Sequence, residues 1–337
     1  MIKRIKFWNF KTLREADLPL SNFTLLVGPN GSGKSTAMTA LTMASGRINI
    51  DHRVFASLDV YKQDNTRPID IEIHWGGTYD GTVTTTTWGS NNSASVSHSR
   101  KNESVSADIV RDINSKLANT KIYALNPSVL ANQGGLSPSA DLSHDGSNLV
   151  VVLDRLRDDD PERFERLNEE LGRMVPEYDR IVFNTPGNNV RSFSLRTRSG
   201  GHVIQARELS QGTLLALTFL TLAYLPRPPA IMCLEEPDRG IHPRLLRDIR
   251  DALYRLAYPD KFDESREPVQ VLATTHSPFL LDLYRDHPEE VVIARKDDHA
   301  VTFQCLSDRN DLDEILEDSH LGEIWYSGIL GGVPVGK

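Results

Sequence analysis

Residues 28–36 read GPNGSGKST and fit the pattern GxxxxGK[ST] in full. Glycines at Gly28, Gly31 and Gly33 let successive backbone N–H groups turn inward around a phosphate, with Pro29, Asn30 and Ser32 completing the loop. The helix expected from about Ser35 to Ala44 adds the partial positive charge of its N-terminus. Lys34 is placed to bridge β- and γ-phosphates, Ser35 to ligate Mg²⁺, and Thr36 to close the first turn. The apolar run Phe23–Val27 before the loop supplies the strand that this chemistry requires. Together these residues point to a nucleoside triphosphate.

Three further stretches carry chemistry. In AIMCLEEPDRGIHP, Ile231–Leu234 read as a buried strand ending in Glu235 and Glu236. Ligands collect at the C-terminal edge of parallel strands, where one carboxylate can serve a metal shell and the next can take a proton from attacking water. In VLATTHSPFLL a second buried strand ends at Thr275-His276-Ser277, which sets an imidazole beside the expected phosphate loop. In LSQGT, residues 209–213, Ser210 caps the apolar helix that follows, and Gly212 leaves its first turn open. That helix start is a second anion site, and the helix from Ser35 already serves the loop. The economical ligand is a nucleotide held by a dimer partner.

The elements that position these residues can be read from periodicity. IKRIKFW and TLREADLPL form two opening strands around a turn at Asn9–Lys11. PIDIEIHW and TVTTTTWGS alternate with period two, as antiparallel strands do. The Ser/Asn-rich segment Ser90–Ser106 reads as a linker loop, and KIYALNP as a further strand. SNLVVVLDRLRD is helical. Pro161–Met174 is a helix capped by Asp160, with Phe164, Leu167, Leu171 and Met174 on one face. RIVFNT, VRSFSLRTR and HVIQARE return to strand, with Arg196 and Arg198 on one solvated face. From Ser210 onward helix and buried strand alternate, which implies a parallel sheet with crossover helices.

The chain has 337 residues, enough to bury a large core. A net charge of −8 counts against a dedicated nucleic-acid coat. Two cysteines, Cys233 and Cys305, without CxxC spacing exclude a disulfide scaffold and a zinc ribbon. No apolar leader opens the sequence, and the run Leu214–Leu225 is too short to span a bilayer. The expected location is the cytoplasm, with no membrane partner.

With these motifs in hand, the chain resembles the ABC-type ATPase heads shared by RecF, SMC and OLD-family proteins, and above all compact bacterial ATPases of the AAA_21 type. IKRIKFWNFKTL, GPNGSGKST, DGSNLVVVLDRLRD, ELSQGTLLAL, CLEEPDRGIHPRLL, ATTHSPFLLDL and LGEIWYSGILGG carry the resemblance across nearly the whole chain. It implies an α/β P-loop NTPase fold of the ABC-ATPase-head type, with an antiparallel β lobe and an inserted helical lobe. The single head would have its nucleotide-binding core in residues 1–52 and 203–337 and its insert in 53–202.

The resemblance also implies roles. Glu236 becomes the general base and His276 the switch histidine, with Lys34 on the phosphates. Ser210, Gln211 and Gly212 form the signature that contacts the γ-phosphate in trans, and Pro237–Ile241, with Asp238 and Gly240, form the D-loop at a dimer seam. Ser35, Glu235 and a Q-loop glutamine hold Mg²⁺; Gln133, after KIYALNP, is taken for that glutamine over Gln63. Two departures stand out: the Mg²⁺-side carboxylate is usually Asp, and Gln211 stands where transporters have Gly.

The implied function is Mg²⁺-dependent ATP hydrolysis in a homodimer that sandwiches two ATP molecules. Only about sixty residues follow His276, too few for an added nuclease domain of ordinary size. A separate effector, a nuclease or toxin in anti-phage defence, is therefore the expected partner. The alternatives are a RecF/SMC-like repair or recombination ATPase that grips DNA, and a scaffold that binds ATP without hydrolysis.

Overall fold

The computed structural model describes residues 1–44, 68–89, 94–101, 104–135, 137, 141–297, 300–317 and 319–331. The expected antiparallel strands of the insert and Gln63 fall differently on this map: the strands are described, whereas Gln63 lies outside the described residues. The chain divides into two compact units, one of Met1–Ile122, Pro229–Glu236 and Pro268–Lys337, the other of Tyr123–Pro228 and Pro237–Glu267.

In the first unit, β1 (Ile2–Phe10) and β2 (Leu13–Pro19) form a hairpin whose turn places Asn9 and Lys11 at positive φ. β1 also pairs with β4 (Ile69–Trp75), and β5 (Thr82–Trp88) and β6 (Ala94–Arg100) extend the sheet antiparallel in the order β2-β1-β4-β5-β6. IDIEIHW and TVTTTTW bury every second residue, the pattern of a sheet with one packed face. Because these strands continue a sheet begun by β1, they belong with the N-terminal strands in one unit.

Two segments depart from the sequence expectation. Residues 94–100, read as part of a linker loop, are the edge strand β6. Its Ser-rich sequence has almost no apolar alternation, and pairing with β5 supplies what propensity does not. Helix α2 (Ala107–Ala118) lies beyond the sequence expectation; Ser106 caps it through the N–H of Ile109, and Ile113 and Leu117 are buried.

A second sheet leads into the Gly28–Thr36 loop, Glu236 and His276. β3 (Phe23–Val27), β12 (Ile231–Glu235), β13 (Gln270–Thr275) and β14 (Val291–Asp297) run parallel in the order β14-β3-β13-β12. β15 (Ala300–Cys305) lies antiparallel outside β14, and β7 (Thr120–Tyr123) closes the other edge. FTLLV and QVLATT are buried along their whole length, as strands covered on both faces must be. Cys233 lies on β12 with no exposed surface, and burial, with Glu235 adding to it, pushes its thiol up to about 12.

Helix α1 (Lys34–Met43) shares one hydrophobic core with both sheets, contributing Ala37, Met38 and Leu41 opposite Ile5, Phe7, Ile71 and Leu272. Gln270 is buried in this unit. Its side-chain oxygen accepts from Ile2 N–H (2.8 Å), and its amide nitrogen donates to the Ile2 carbonyl (2.6 Å) and the Ser21 carbonyl (2.9 Å).

The second unit holds a sheet of β8 (Gly134–Gly135), β9 (Tyr178–Gly187), β10 (Val190–Thr197) and β11 (Val203–Gln205), all antiparallel to their neighbours. Helices α3 (Leu149–Asp159), α4 (Pro161–Met174), α5 (Gln211–Ala223) and α6 (Pro243–Ala257) accompany it. Asp160 caps α4 through the N–H of Arg163, with Pro161 in the first turn as the sequence predicts. Arg196 pairs bidentately with Asp179 (2.9 and 3.0 Å), and Arg198 donates to the Gly172 carbonyl. Helix α5 is buried from Thr213 to Ala223; Thr218 and Thr221 satisfy their hydroxyls on the carbonyls one turn back. Short helices α7 (Pro278–Asp282), α8 (Leu312–Glu317) and α9 (Leu321–Tyr326) belong to the first unit. Among the described residues no helix is long and apolar enough to cross a membrane.

Candidate functional site

The parallel register sets the site. Val27 stands opposite Thr275 on one side and Ile293 on the other, and Glu235 stands opposite Thr274. The C-terminal ends of β3, β12 and β13 therefore meet at one sheet edge, which carries the loop from Gly28, the Glu235–Glu236 pair and His276.

The loop has the backbone that its glycines permit. Gly31 and Gly33 adopt φ of 75° and 85°, and Gly33 is the residue before α1. Gly28 is fixed by space, since a Cβ there would stand 2.5 Å from Ser32 Oγ and 2.6 Å from the Ala294 carbonyl oxygen. Ser32 Oγ is itself buried with no hydrogen-bond partner among the described residues. An orphaned hydroxyl inside a ring of glycines suits a ligand rich in acceptor oxygens. Lys34 donates from Nζ to the carbonyls of Gly28 (2.7 Å) and Pro29 (3.0 Å). Ser35 is exposed and Thr36 half-buried at the start of α1.

Burial pushes Lys34 down to about 8, with Glu236 opposing the shift. This has a measurable consequence. Raising pH through 8 removes the ammonium proton from the nucleotide-free chain, so a bound phosphate loses its charge partner. Affinity for a fluorescent ATP analogue should be flat below pH 7.5 and then fall, approaching about tenfold per pH unit. Lys34→Arg, which keeps its charge, should flatten the decline; an unchanged slope in that variant would take Lys34 out of the site.

Glu236 occupies the left-handed region with φ of 44°, a costly conformation for a residue with a Cβ. Its backbone N–H is held by Thr274 Oγ1 at 3.2 Å, which anchors the turn just past β12. The carboxylate then meets His276, with Oε1 3.3 Å from Nε2. Burial first, and Lys34 after it, keep the His276 imidazole below its ordinary range, against the opposing pull of Glu236 and a hydrogen bond with Gly28. The shift favours the neutral ring at pH 7. Thr275 Oγ1 accepts from Ser277 N–H (2.9 Å), and Ser277 caps α7, which fixes the backbone on both sides of His276.

Lys34, Glu236 and His276 are thus brought together, with Ser35 and Glu235 on neighbouring elements of the same unit. Their hydroxyl and carboxylate are the hard oxygen donors that Mg²⁺ takes. Gln133 belongs to the second unit, exposed just before β8.

The LSQGT segment is also in the second unit. Ser210 Oγ accepts from Thr213 N–H (3.1 Å) and caps α5, while Ser210 and Gln211 are exposed. The turn at Asp238–Gly240 lies beside it: Gly240 has φ of 80°, and its carbonyl oxygen is 3.6 Å from where a Cβ on Gly212 would stand. The Thr274 anchor was not found from sequence, although two adjacent threonines before His276 were its visible sign.

Residues 1–133 match the family model described as "AAA ATPase domain". The OLD nuclease of Thermus scotoductus is 25% identical over 371 aligned positions, which cover 96% of this chain and 68% of that protein. An Smc head bound to the C-terminal winged-helix domain of ScpA has the same fold with a TM-score of 0.61, at 14% identity over 90% of this chain and 96% of that one. The Smc head from Pyrococcus furiosus gives 0.58 at 12% identity, over 94% and 98%. The P-loop fold read from the motifs is thus met in the Smc heads, and the OLD-family likeness in the OLD nuclease. Residues 86–282, more than half of the chain, match a second family model, and by that match the chain belongs to the ATPase family described as "AAA domain, putative AbiEii toxin, Type IV TA system".

Proposed function

We propose that the chain hydrolyses ATP at the edge built by Gly28–Thr36, Glu235, Glu236 and His276, and that two copies close so that each LSQGT completes the other's site. The observation that supports this reading most is the trio in the first unit: a buried lysine, a carboxylate held in a strained turn, and an imidazole 3.3 Å from it. The loop N–H groups and the start of α1 receive the β-phosphate, and Lys34 exchanges its loop carbonyls for phosphate oxygens. Water attacks the γ-phosphorus and passes a proton to Glu236. The bond to the β–γ bridging oxygen breaks, and ADP leaves with that electron pair. His276 positions the carboxylate. Ser35 and Glu235 would hold Mg²⁺, with Gln133 as the further ligand that the family resemblance implies, and the bound ion would supply charge neutralisation on the phosphates.

The cycle of closing and opening would switch a separate nuclease or toxin in anti-phage defence. The family description, which names a toxin–antitoxin system, and the OLD nuclease relative support that role.

Ser210 tests the trans site. Ser210→Arg should lower ATP turnover at least tenfold while nucleotide binding to the monomer stays within about twofold. Because loss of a cap alone costs about 1 kcal/mol, Ser210→Asp is the companion variant: it keeps the cap and repels a γ-phosphate. Full turnover in both variants, or lost nucleotide binding in either, would remove Ser210 from its role.

A further inference from the structure

The second unit contains a cavity of about 190 Å³ that the nucleotide chemistry does not use. Arg163, Arg166, Arg255 and Arg266 line it, with Tyr224 and Glu264. It lies where α5 ends: Arg266 donates to the Ala223 carbonyl (3.2 Å), and Arg163 to that of Leu225 (3.3 Å). Several guanidinium groups are held in place. Arg255 is bonded to the Tyr224 hydroxyl (2.8 Å) and paired with Glu264 (3.2 Å), and Arg266 is paired with the other Glu264 oxygen (2.8 Å). Arg163 rests on Asp160 (3.0 Å). Arg166 is exposed and forms no ion pair among the described residues. Four arginines thus face two lining carboxylates, Asp263 and Glu264, and counting Asp160 still leaves positive charge in excess. Burial, and with it the nearness of Arg163 and Arg255, holds the Arg266 guanidinium below its ordinary range while Glu264 opposes.

We propose that this cavity is a second anion site, built for a terminal phosphoryl group. Fixed guanidinium forks match phosphate oxygens in pairs, and several of them suit a dianion better than a single carboxylate. The volume is below the roughly 300–1,000 Å³ of sites that enclose a drug-sized ligand. It admits a phosphate and excludes a base. An internal phosphodiester of a duplex, flanked by sugars on both sides, does not enter; a free phosphate or the 5′-phosphate at a strand end does.

The full chain is titrated calorimetrically with inorganic phosphate and with 5′-phosphorylated and 5′-hydroxyl oligonucleotides of one sequence. Arg166→Ala should weaken phosphate-dependent binding about tenfold. Lys34→Ala should leave it within twofold, which separates this site from the loop at Gly28–Ser35. Because Arg166 is exposed, its removal leaves the fold intact. Tighter binding of the 5′-phosphorylated strand than of its 5′-hydroxyl form assigns the ligand to nucleic-acid ends; equal strand binding with retained affinity for inorganic phosphate assigns it to a free phosphate. Binding that is insensitive to Arg166→Ala, binding lost with Lys34→Ala, or no binding at millimolar phosphate overturns the proposal.

Discussion

Glu236→Gln should lower ATP turnover by about 10²–10⁴ and leave nucleotide binding intact. The substitution keeps the shape of the side chain and removes its ability to take a proton from water. It leaves the turn in place, because the anchor is the backbone N–H of Glu236 on Thr274 Oγ1. With hydrolysis stopped, the ATP-bound state accumulates, and sedimentation in saturating ATP and Mg²⁺ should show a dimer that the parent protein populates only transiently. A monomer under those conditions would refute the trans arrangement; undiminished turnover would refute Glu236 as the base. The two failures are separable, since one is read from mass and the other from phosphate release.

The second large effect concerns stability. Gln270→Leu should cost about 3–5 kcal/mol, because it strands buried backbone groups at no gain in volume. Gln270 closes three hydrogen bonds with Ile2 and Ser21, and these tie the start of β1 and the second residue beyond β2 to the first residue of β13. Replacing it with leucine removes the partner of the buried Ile2 N–H and carbonyl and of the half-buried Ser21 carbonyl. The denaturation midpoint should drop accordingly. Gln270→Glu, which keeps an acceptor for Ile2 N–H and loses the donor, should fall at least as far. A loss below 1 kcal/mol for Gln270→Leu would mean that the strands hold their start without this side chain.

Much of the site was legible because its chemistry is local. A phosphate loop needs glycines at fixed offsets between strand and helix, and a carboxylate or imidazole at a strand end is visible wherever the strand is buried throughout. FTLLV, IMCLE and QVLATT showed all three. Less legible were features that depend on a partner distant in sequence. β6 owes its strand state to β5, since ASVSHSR has no packed face of its own. Helix α2 was readable in principle from Ser106 and the spacing of Ile109, Ile113 and Leu117, but its many polar residues blurred the stripe. The arginine cavity joins residues 163–166 to residues 255–266, a meeting that no local pattern announces. Similarly, a strained φ at Glu236 is a property of the turn after β12 and not of the letters EEP.

Cys233 turns the strand beside the β7 edge of the parallel sheet into a clock. Its sulfur is fully enclosed on β12, two residues before Glu235, and its proton is held up to about 12. At neutral pH a small alkylating reagent can reach and capture that thiol only while β12 is transiently open. The labelling rate of one sulfur therefore reads the opening free energy of the sheet that carries the phosphate loop, without denaturant and without any added dye. Ligands that tighten this sheet will slow the clock, so occupancy of the loop can be followed by mass spectrometry of one peptide.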